Sequence, residues 1–159
     1  MKLIAILFLV LSFPIFALEV SPMESSSVAH ILRLSPGEDP KVELMKYVTE
    51  KKLKAVSVVS AVGSLKETTI RYANQKDSVK LTGMREVVSL SGTLGSTSGS
   101  HLHLSVSDGT GVTLGGHLVE GSKVYTTLEV VLLSYPDVEF TRVLDPKTTY
   151  DELVIKSLK

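Results

Sequence analysis

The feature that most constrains the fold is a strict alternation of polar and apolar residues between Ser100 and Gly121. In His101–Ser107 the odd-numbered residues are His, His, Ser and Ser, and the even-numbered residues are Leu, Leu and Val. Successive side chains of a β-strand point to opposite faces of its sheet, so this pattern predicts a strand with one polar face and one buried face. The segment 112–119 repeats the pattern, and its expected core residues are Val112, Leu114 and Leu118.

The loop between these two segments decides which residues face each other. In an antiparallel hairpin the numbers of two paired residues always add to the same constant. The core residues of both segments are even-numbered, so they share a face only if that constant is even. An even constant requires an odd number of residues in the loop. Gly109–Gly111 supplies three, and Gly111 stands where a type I turn followed by a bulge needs a positive φ. The pairing therefore predicts His103 opposite His117, with His101 on the same face.

Three imidazole groups on one face can be a metal site or an ordinary polar surface. Opposed residues have Cβ atoms about 4.5–5.5 Å apart, and residues i and i+2 of a strand lie about 6.5–7 Å apart. Three ring nitrogens can then reach one zinc ion at about 2.0–2.1 Å and leave its fourth position open. Gly115 and Gly116 also leave room for another group to approach His117. Hydrogen-bonding histidines at a surface or an interface give the same pattern, so both interpretations stay open.

The other candidate residues are less specific. We expect Glu129 and Glu120 to be the acids nearest the histidines, where either can orient a ligand or act as a general base. Solvated or ion-paired carboxylates are the simpler interpretation of both. We interpret His30 as a structural or surface residue. The isolated arginines are interpreted as surface or ion-paired residues, and they are Arg33, Arg71, Arg85 and Arg142.

The first seventeen residues are typical of a signal peptide. Lys2 gives a positive start, Leu3–Phe13 is an apolar run, and Ala17 is a small residue suited to cleavage. From Leu3 to Leu18 the mainly apolar stretch is sixteen residues long, whereas a membrane-spanning helix needs roughly 20. We therefore predict a secreted or periplasmic protein, with residues 18–27 as a flexible leader and residues 28–159 as a single domain.

Composition narrows the function classes for such an exported chain. It has no cysteine, so its stability must come from an apolar core rather than from disulfides. Loss of Lys2 with the signal peptide would leave 16 basic residues against 17 acidic ones, and there is no tryptophan. Nucleic-acid binding relies on basic patches and stacked aromatic residues. We therefore expect no nucleic-acid partner and, after cleavage, no membrane partner.

The remaining patterns predict one helix among seven or eight strands. Asp39 is a suitable N-cap with Pro40 as the first helical residue, and we expect the helix to run to about Lys54. Its inner stripe is expected at Val42, Met45, Val48 and Thr49. Outside the hairpin we expect strands over 28–34, 55–63, 67–74, 84–95, 123–135 and 139–145, and the tail 150–158 is ambiguous. Alternation in 84–95 places Val87 and Ser89 on one face and Val88 and Leu90 on the other. The class is α+β, a mainly antiparallel sheet with one main helix packed on it.

Five stretches resemble, in order and spacing, the plant- and prokaryote-conserved (PPC) domain family. They are "LRLSPGEDP", "SAVGSLKETTIRYAN", "VVSLSGTLGS", "HLHLSVSDGTGVTLGGHLVEG" and "VYTTLEVVL". The resemblance covers about 29–153 and implies a mainly antiparallel sheet with a flanking helix and a trimeric assembly. It also implies a metal, usually zinc, held by the histidines of the H-x-H and G-G-H motifs, here His101, His103 and His117. Land-plant members carry a DNA-binding AT-hook, but this chain has no R-G-R-P core, so DNA binding is not implied.

Three hypotheses about function follow. The first is an exported trimeric binding module that holds a divalent metal, or a small ligand through it, at the histidines. The second is a metal-dependent hydrolase with Glu129 or Glu120 as general base. The third is a structural oligomerisation module whose histidines line a subunit boundary without an ion.

The trimer of the first hypothesis has support beyond the resemblance. Valine-rich strands that are apolar on both faces bury more surface than one helix can cover, and other subunits can cover the rest.

Overall fold

The computed structural model describes residues 22–159, and the predicted signal peptide lies outside the described residues. In chain order the elements are β1 (Val28–Leu34), α1 (Pro40–Glu50), β2 (Val56–Arg71), β3 (Val79–Gly95), β4 (Gly99–Ser107), β5 (Thr113–Leu118), β6 (Lys123–Ser134), β7 (Val138–Leu144) and β8 (Asp151–Ser157). Over this range, no helix combines the length and apolar character needed to cross a membrane.

Six of the strands form one sheet, and the arrangement confirms the predicted α+β class. The strand order is β1-β6-β2-β3-β4-β5, all neighbours being antiparallel, while β7 and β8 form a separate hairpin. The long strand β2 also pairs with β5, through Ile70 opposite Leu118 and Arg71 opposite His117. This extra pairing brings β5, and the histidine that it carries, against β2.

Helix α1 covers one face of the sheet and leaves the other for the histidines. The buried residues of the helix are Pro40, Leu44 and Val48, spaced four apart. Burying a leucine or valine side chain such as Leu44 or Val48 contributes about 1.5–3 kcal/mol. The predicted inner stripe was wrong in part, because Leu44 faces the sheet and Val42 is exposed. The helix packs in one core with sheet residues that include Leu34, Val56, Leu90, Leu102, Leu104, Leu128 and Leu132.

The helix ends at Glu50 rather than near Lys54 as predicted. Lys52 adopts the left-handed conformation with φ of 53°. The Leu53 N–H then donates to the Val48 carbonyl oxygen at 2.9 Å, which is the long hydrogen bond of a Schellman motif. Glycine usually occupies the left-handed position at a helix end. Because a lysine occupies it here, the sequence pattern did not predict where the helix ends.

A single bulged strand replaces two that were predicted separately. The segments 55–63 and 67–74 both fall in or beside β2, which runs without interruption from Val56 to Arg71. Its pairing with β6 shifts register between Gly63 and Leu65 and again after Leu65. Gly63 has φ of 147°, so the intervening residues are absorbed as bulges rather than as a turn.

A second bulge changes the predicted faces of β3. The pairing of β3 with β4 shifts register between Val87 and Ser89. Val87 and Leu90 are consequently both buried, and Val88 is exposed. Regular alternation had placed Val87 and Leu90 on opposite faces, and that prediction was wrong because a bulge inserts one unpaired residue.

Asp39 fastens the start of the helix to the connection that follows β5. One carboxylate oxygen accepts hydrogen bonds from the N–H groups of Lys41 and Val42 at 3.0 and 3.3 Å. The other accepts from the Gly121 N–H at 2.6 Å. We expect Asp39→Ala to lower the free energy of unfolding by about 2–4 kcal/mol, since it loses a helix cap and a charge-assisted hydrogen bond. Asp39→Asn keeps one acceptor oxygen and should lose less stability. Urea titration of both variants measures the losses, and equal losses would argue against this role of the carboxylate.

Candidate functional site

The predicted hairpin is confirmed. His103 on β4 pairs opposite His117 on β5. The turn closes through a hydrogen bond from the Gly111 N–H to the Asp108 carbonyl oxygen at 2.9 Å, and Gly111 has φ of 85°. The odd-length loop therefore produces the pairing that the alternation required. Val112 was wrongly placed in the core, since it precedes β5 and is exposed.

The Asp108 carboxylate stabilises this turn. Its Oδ1 atom accepts from the N–H and hydroxyl groups of Thr110 at 2.9 and 2.7 Å and from the Val112 N–H at 3.2 Å. Arg85 lies 3.6 Å from the other carboxylate oxygen. The hydrogen bonds from Thr110, then the one from Val112 and the charge of Arg85, hold the pKa of Asp108 below its usual 3.8. The ionised carboxylate therefore favours the folded hairpin.

This depressed pKa predicts an acid-sensitive hairpin. A carboxylate with a lower pKa in the folded state stabilises the protein above its unfolded-state pKa, and the contribution is lost as pH falls through the folded-state pKa. We expect the free energy of unfolding to fall more steeply in the wild type than in Asp108→Asn below about pH 4. Urea unfolding between about pH 5 and about pH 3 measures the difference, and parallel profiles would contradict the role of the charge.

The three predicted histidines form one cluster. Their ring centroids are 5.0 Å apart for His101 and His103, 5.3 Å for His101 and His117, and 4.6 Å for His103 and His117. One ring nitrogen from each residue lies within 4.8 Å of the others. The alternating residues Leu102 and Leu104 are buried in the core, so the imidazoles lie on the sheet face opposite α1.

The donor set of this cluster suits a divalent metal ion such as zinc. Nitrogens bound to one tetrahedral zinc ion lie about 3.4 Å apart, since each Zn–N bond is about 2.0–2.1 Å. The three ring nitrogens lie within 4.8 Å of one another, so binding of one ion would require side-chain rotations that bring them closer together. Burial, and after it the charge of Arg142, lowers the pKa of His101, and burial followed by the charge of Arg71 lowers the pKa of His117. A neutral imidazole is the metal-binding form, so both rings are available at neutral pH.

The two glycines before His117 allow close approach of neighbouring strands. A Cβ atom on Gly116 would lie 2.6 Å from the Arg71 carbonyl oxygen, and one on Gly115 would lie 2.8 Å from the Ser105 hydroxyl oxygen. The sequence predicted that another group approaches His117 at these glycines. That group is part of the protein itself, chiefly the backbone of β2. This approach places Arg71 directly beside His117.

The charged residues around the cluster are not the glutamates that the sequence suggested. Glu120 follows the end of β5, and Glu129 lies on β6 opposite Arg33 of β1; both glutamates are exposed. The charged groups outside the cluster that act on the pKa values of His101 or His117 are instead Arg142, Arg71 and Glu152. Glu152 belongs to β8, in the tail whose structure the sequence left ambiguous.

Two arginines that were interpreted as surface or ion-paired residues flank the cluster. Arg71 pairs opposite His117. Arg142 on β7 donates a hydrogen bond to the Thr93 hydroxyl at 3.4 Å, and Thr93 pairs opposite His101. Alternation within one hairpin cannot reveal either neighbour, because β2 and β7 approach through long-range contacts.

The fourth histidine is structural, as predicted. The Nδ1 atom of His30 lies 2.9 Å from the Tyr47 hydroxyl, and its Nε2 atom lies 2.8 Å from the Ser134 hydroxyl. These hydrogen bonds tie β1 to α1 and β6. His30 therefore serves as an internal control for experiments on the cluster.

Comparison with known proteins identifies the family. The profile described as the Plants and Prokaryotes Conserved (PCC) domain matches residues 22–136. The chain belongs to this family. The resemblance predicted from the five motifs is thereby confirmed, and the histidine cluster lies within the matched PCC domain.

Solved structures reproduce the PCC fold. A hypothetical protein from Salmonella cholerae-suis is 42% identical, with a TM-score of 0.84 over 86% of this chain and 99% of that one. A protein described as metal-containing, from Archaeoglobus fulgidus, is 27% identical, with a TM-score of 0.70 over 86% of this chain and 99% of that one. A curated relative, the bifunctional protein GlmU of a Synechococcus strain, is 45% identical over 139 residues. That match covers 87% of this chain but only 22% of GlmU, so it bears on the PCC domain alone.

Proposed function

We propose that this chain is an exported, trimeric PCC-domain module that binds one divalent metal ion, with zinc expected, at the histidine cluster. The observation that carries the proposal is the convergence of three ring nitrogens within 4.8 Å of one another. The Archaeoglobus relative described as metal-containing supports it. An ion held by three protein ligands keeps a position for a small ligand, which suits a binding role.

Metal analysis tests the proposal directly. The protein is purified without an affinity tag, and its zinc content is measured by mass spectrometry. We expect about one ion per chain in the wild type and in His30→Gln, and nearly none in His103→Ala, because two imidazoles hold zinc far less firmly than three. Circular dichroism verifies that each variant is folded. A stoichiometry near zero in the folded wild type would refute the metal site.

Assembly is the second part of the proposal. Ile31 on β1 is 83% exposed and Val62 on β2 is 62% exposed. Both lie on the sheet face opposite α1, where β1, β6 and β2 pair side by side. Apolar side chains gathered on an exposed face are typical of an interaction surface, and we propose that other copies of the chain cover them.

Light scattering at micromolar concentration tests this assembly. The wild type should have the mass of a trimer, and the double variant Ile31→Lys, Val62→Lys should be a monomer. Val42→Lys changes an exposed valine on the helix and should remain trimeric. A wild type that is monomeric throughout would remove the trimer from the proposal.

Export is the third part. It rests on the charged start at Lys2, the apolar run Leu3–Phe13 and the small residue Ala17. The mature protein should begin just after Ala17 when its N-terminus is determined by mass spectrometry. Recovery of the chain from the cytosol with its N-terminal segment intact would contradict export.

The two other hypotheses predict different behaviour. The hydrolase hypothesis names Glu120 or Glu129 as the base, and neither is among the charged groups that shift the pKa values of His101 and His117, whereas Glu152 is. The structural module predicts an assembly that dissociates as the imidazoles become charged at about pH 6 and that is unaffected by chelators. Dissociation of the trimer by acid with no effect of a chelator would therefore favour the structural module over metal binding.

A further inference from the structure

We propose that the histidine cluster binds a small oxyanion, a carboxylate or phosphate group, between the guanidinium groups of Arg71 and Arg142. This inference deepens the proposed function, because it names the class of ligand that meets the metal. It rests on the proposed function only in part, since the two arginines flank the imidazoles whether or not an ion is bound.

Arg71 forms one side of the site. It pairs opposite His117, and paired residues of antiparallel strands project from the same sheet face. Its NH1 group donates to the Gln75 carbonyl oxygen at 3.0 Å, which fixes the direction of the side chain. A guanidinium has five N–H donors, so others can face a ligand beside His117.

Arg142 forms the opposite side. Its NH1 group donates to the Asp151 carbonyl oxygen at 3.2 Å, and its NH2 group donates to the Thr93 hydroxyl at 3.4 Å. Thr93 pairs opposite His101, so this guanidinium is held next to the imidazole at the far end of the cluster. Its remaining N–H donors can point to a ligand over the rings.

The partners of these two arginines favour an external anion. Their hydrogen bonds go to carbonyl and hydroxyl oxygens, which are neutral. Among residues 22–159, the ion pairs within 4.0 Å include Arg85 with Asp108 but neither Arg71 nor Arg142. Arginine binds carboxylate and phosphate oxygens through paired N–H donors, so a guanidinium without a carboxylate partner is suited to such a ligand.

The electrostatic balance at the cluster points the same way. Outside the cluster, Arg142 has the largest charge effect on the pKa of His101 and lowers it, Glu152 raises it, and Arg71 lowers it by a smaller amount. A divalent ion at the cluster would add positive charge beside the two guanidinium groups. An oxyanion can contact the ion through one oxygen and a guanidinium through another, and both contacts are stronger for a charged oxygen than for a neutral one.

Anion titration of the cobalt-substituted protein tests the inference. Cobalt(II) replaces zinc and its visible absorption reports a change of ligand, and acetate and inorganic phosphate are the two probes. We expect at least one probe to bind, with its apparent Kd at least about tenfold higher in Arg71→Gln and in Arg142→Gln. Arg33→Gln is the matched control, because this arginine also bonds a threonine hydroxyl, that of Thr127, and it should leave the Kd unchanged. Preference for acetate identifies a carboxylate ligand and preference for phosphate a phosphate ligand.

A parallel titration without metal separates this inference from the proposed function. Phosphate or acetate is added to chelator-treated, dialysed protein while the imidazole proton resonances are followed by NMR. We expect weaker binding that still depends on Arg71 and Arg142. If cobalt fails to bind but anion binding still depends on Arg71 and Arg142, the metal site is refuted and the oxyanion site is supported. Absence of anion binding in both forms, or equal Kd values in the wild type and all three arginine variants, would overturn the inference.

Discussion

Gly92→Ala is expected to lower the free energy of unfolding by more than about 4 kcal/mol, which is exceptional for one methyl group, and to abolish metal binding. Gly92 has φ of 135°, and a Cβ atom there would overlap the carbonyl oxygen of His101 on the neighbouring strand. Relief of the overlap requires β4 to move, but Leu102 anchors that strand in the core. The substitution therefore strains the backbone that positions His101.

Gly83→Ala is the matched control for this prediction. Gly83 lies in the same strand with φ of 100°, and a Cβ atom there would meet nothing within 4 Å. It carries only the conformational penalty of a left-handed residue, about 1–2 kcal/mol. Urea titration of both variants, with zinc binding measured in parallel, separates steric overlap from backbone strain. Equal losses of stability in the two variants would mean that the close approach of β4 is not the cause.

Addition of zinc to the metal-free wild type should raise its Tm by roughly 10 °C. A ligand present at about 1,000 times its Kd stabilises the native state by about 4 kcal/mol, and a domain of this size shifts by about 2–4 °C for each kcal/mol. His117→Ala should lose nearly the whole shift, because it removes the only cluster ligand on β5. His30→Gln should retain the shift, although we expect its starting Tm to be lower because it loses a hydrogen bond of His30. The same shift in His117→Ala as in the wild type would place zinc elsewhere.

The histidine cluster could be predicted because its geometry follows from local rules. Alternation assigns each side chain of the hairpin to a face, and the odd loop ending at Gly111 fixes the pairing of His103 with His117. Both facts depend on a short stretch of sequence. The family motifs then assigned a metal to the same residues, independently of the pairing argument.

The surroundings of the cluster could not be predicted in this way. Bulges in β2 and β3 shift the register, and no single residue type marks them, so the faces of Val87 and Leu90 were misassigned. The helix end at Glu50 depends on Lys52 adopting a conformation that glycine usually provides. Arg71 and Arg142 reach the site through long-range strand pairing, which a pattern within one hairpin does not contain. The sequence therefore identified the three histidines of the cluster but not the residues that set their charge environment.

The most direct test of the central claim is a crystal structure of the zinc-loaded protein with anomalous data collected at the zinc edge. We expect one anomalous peak per chain, about 2.0–2.1 Å from a ring nitrogen of each of His101, His103 and His117. A cluster without a peak, or a His117 ring turned away from the other two, would contradict the account.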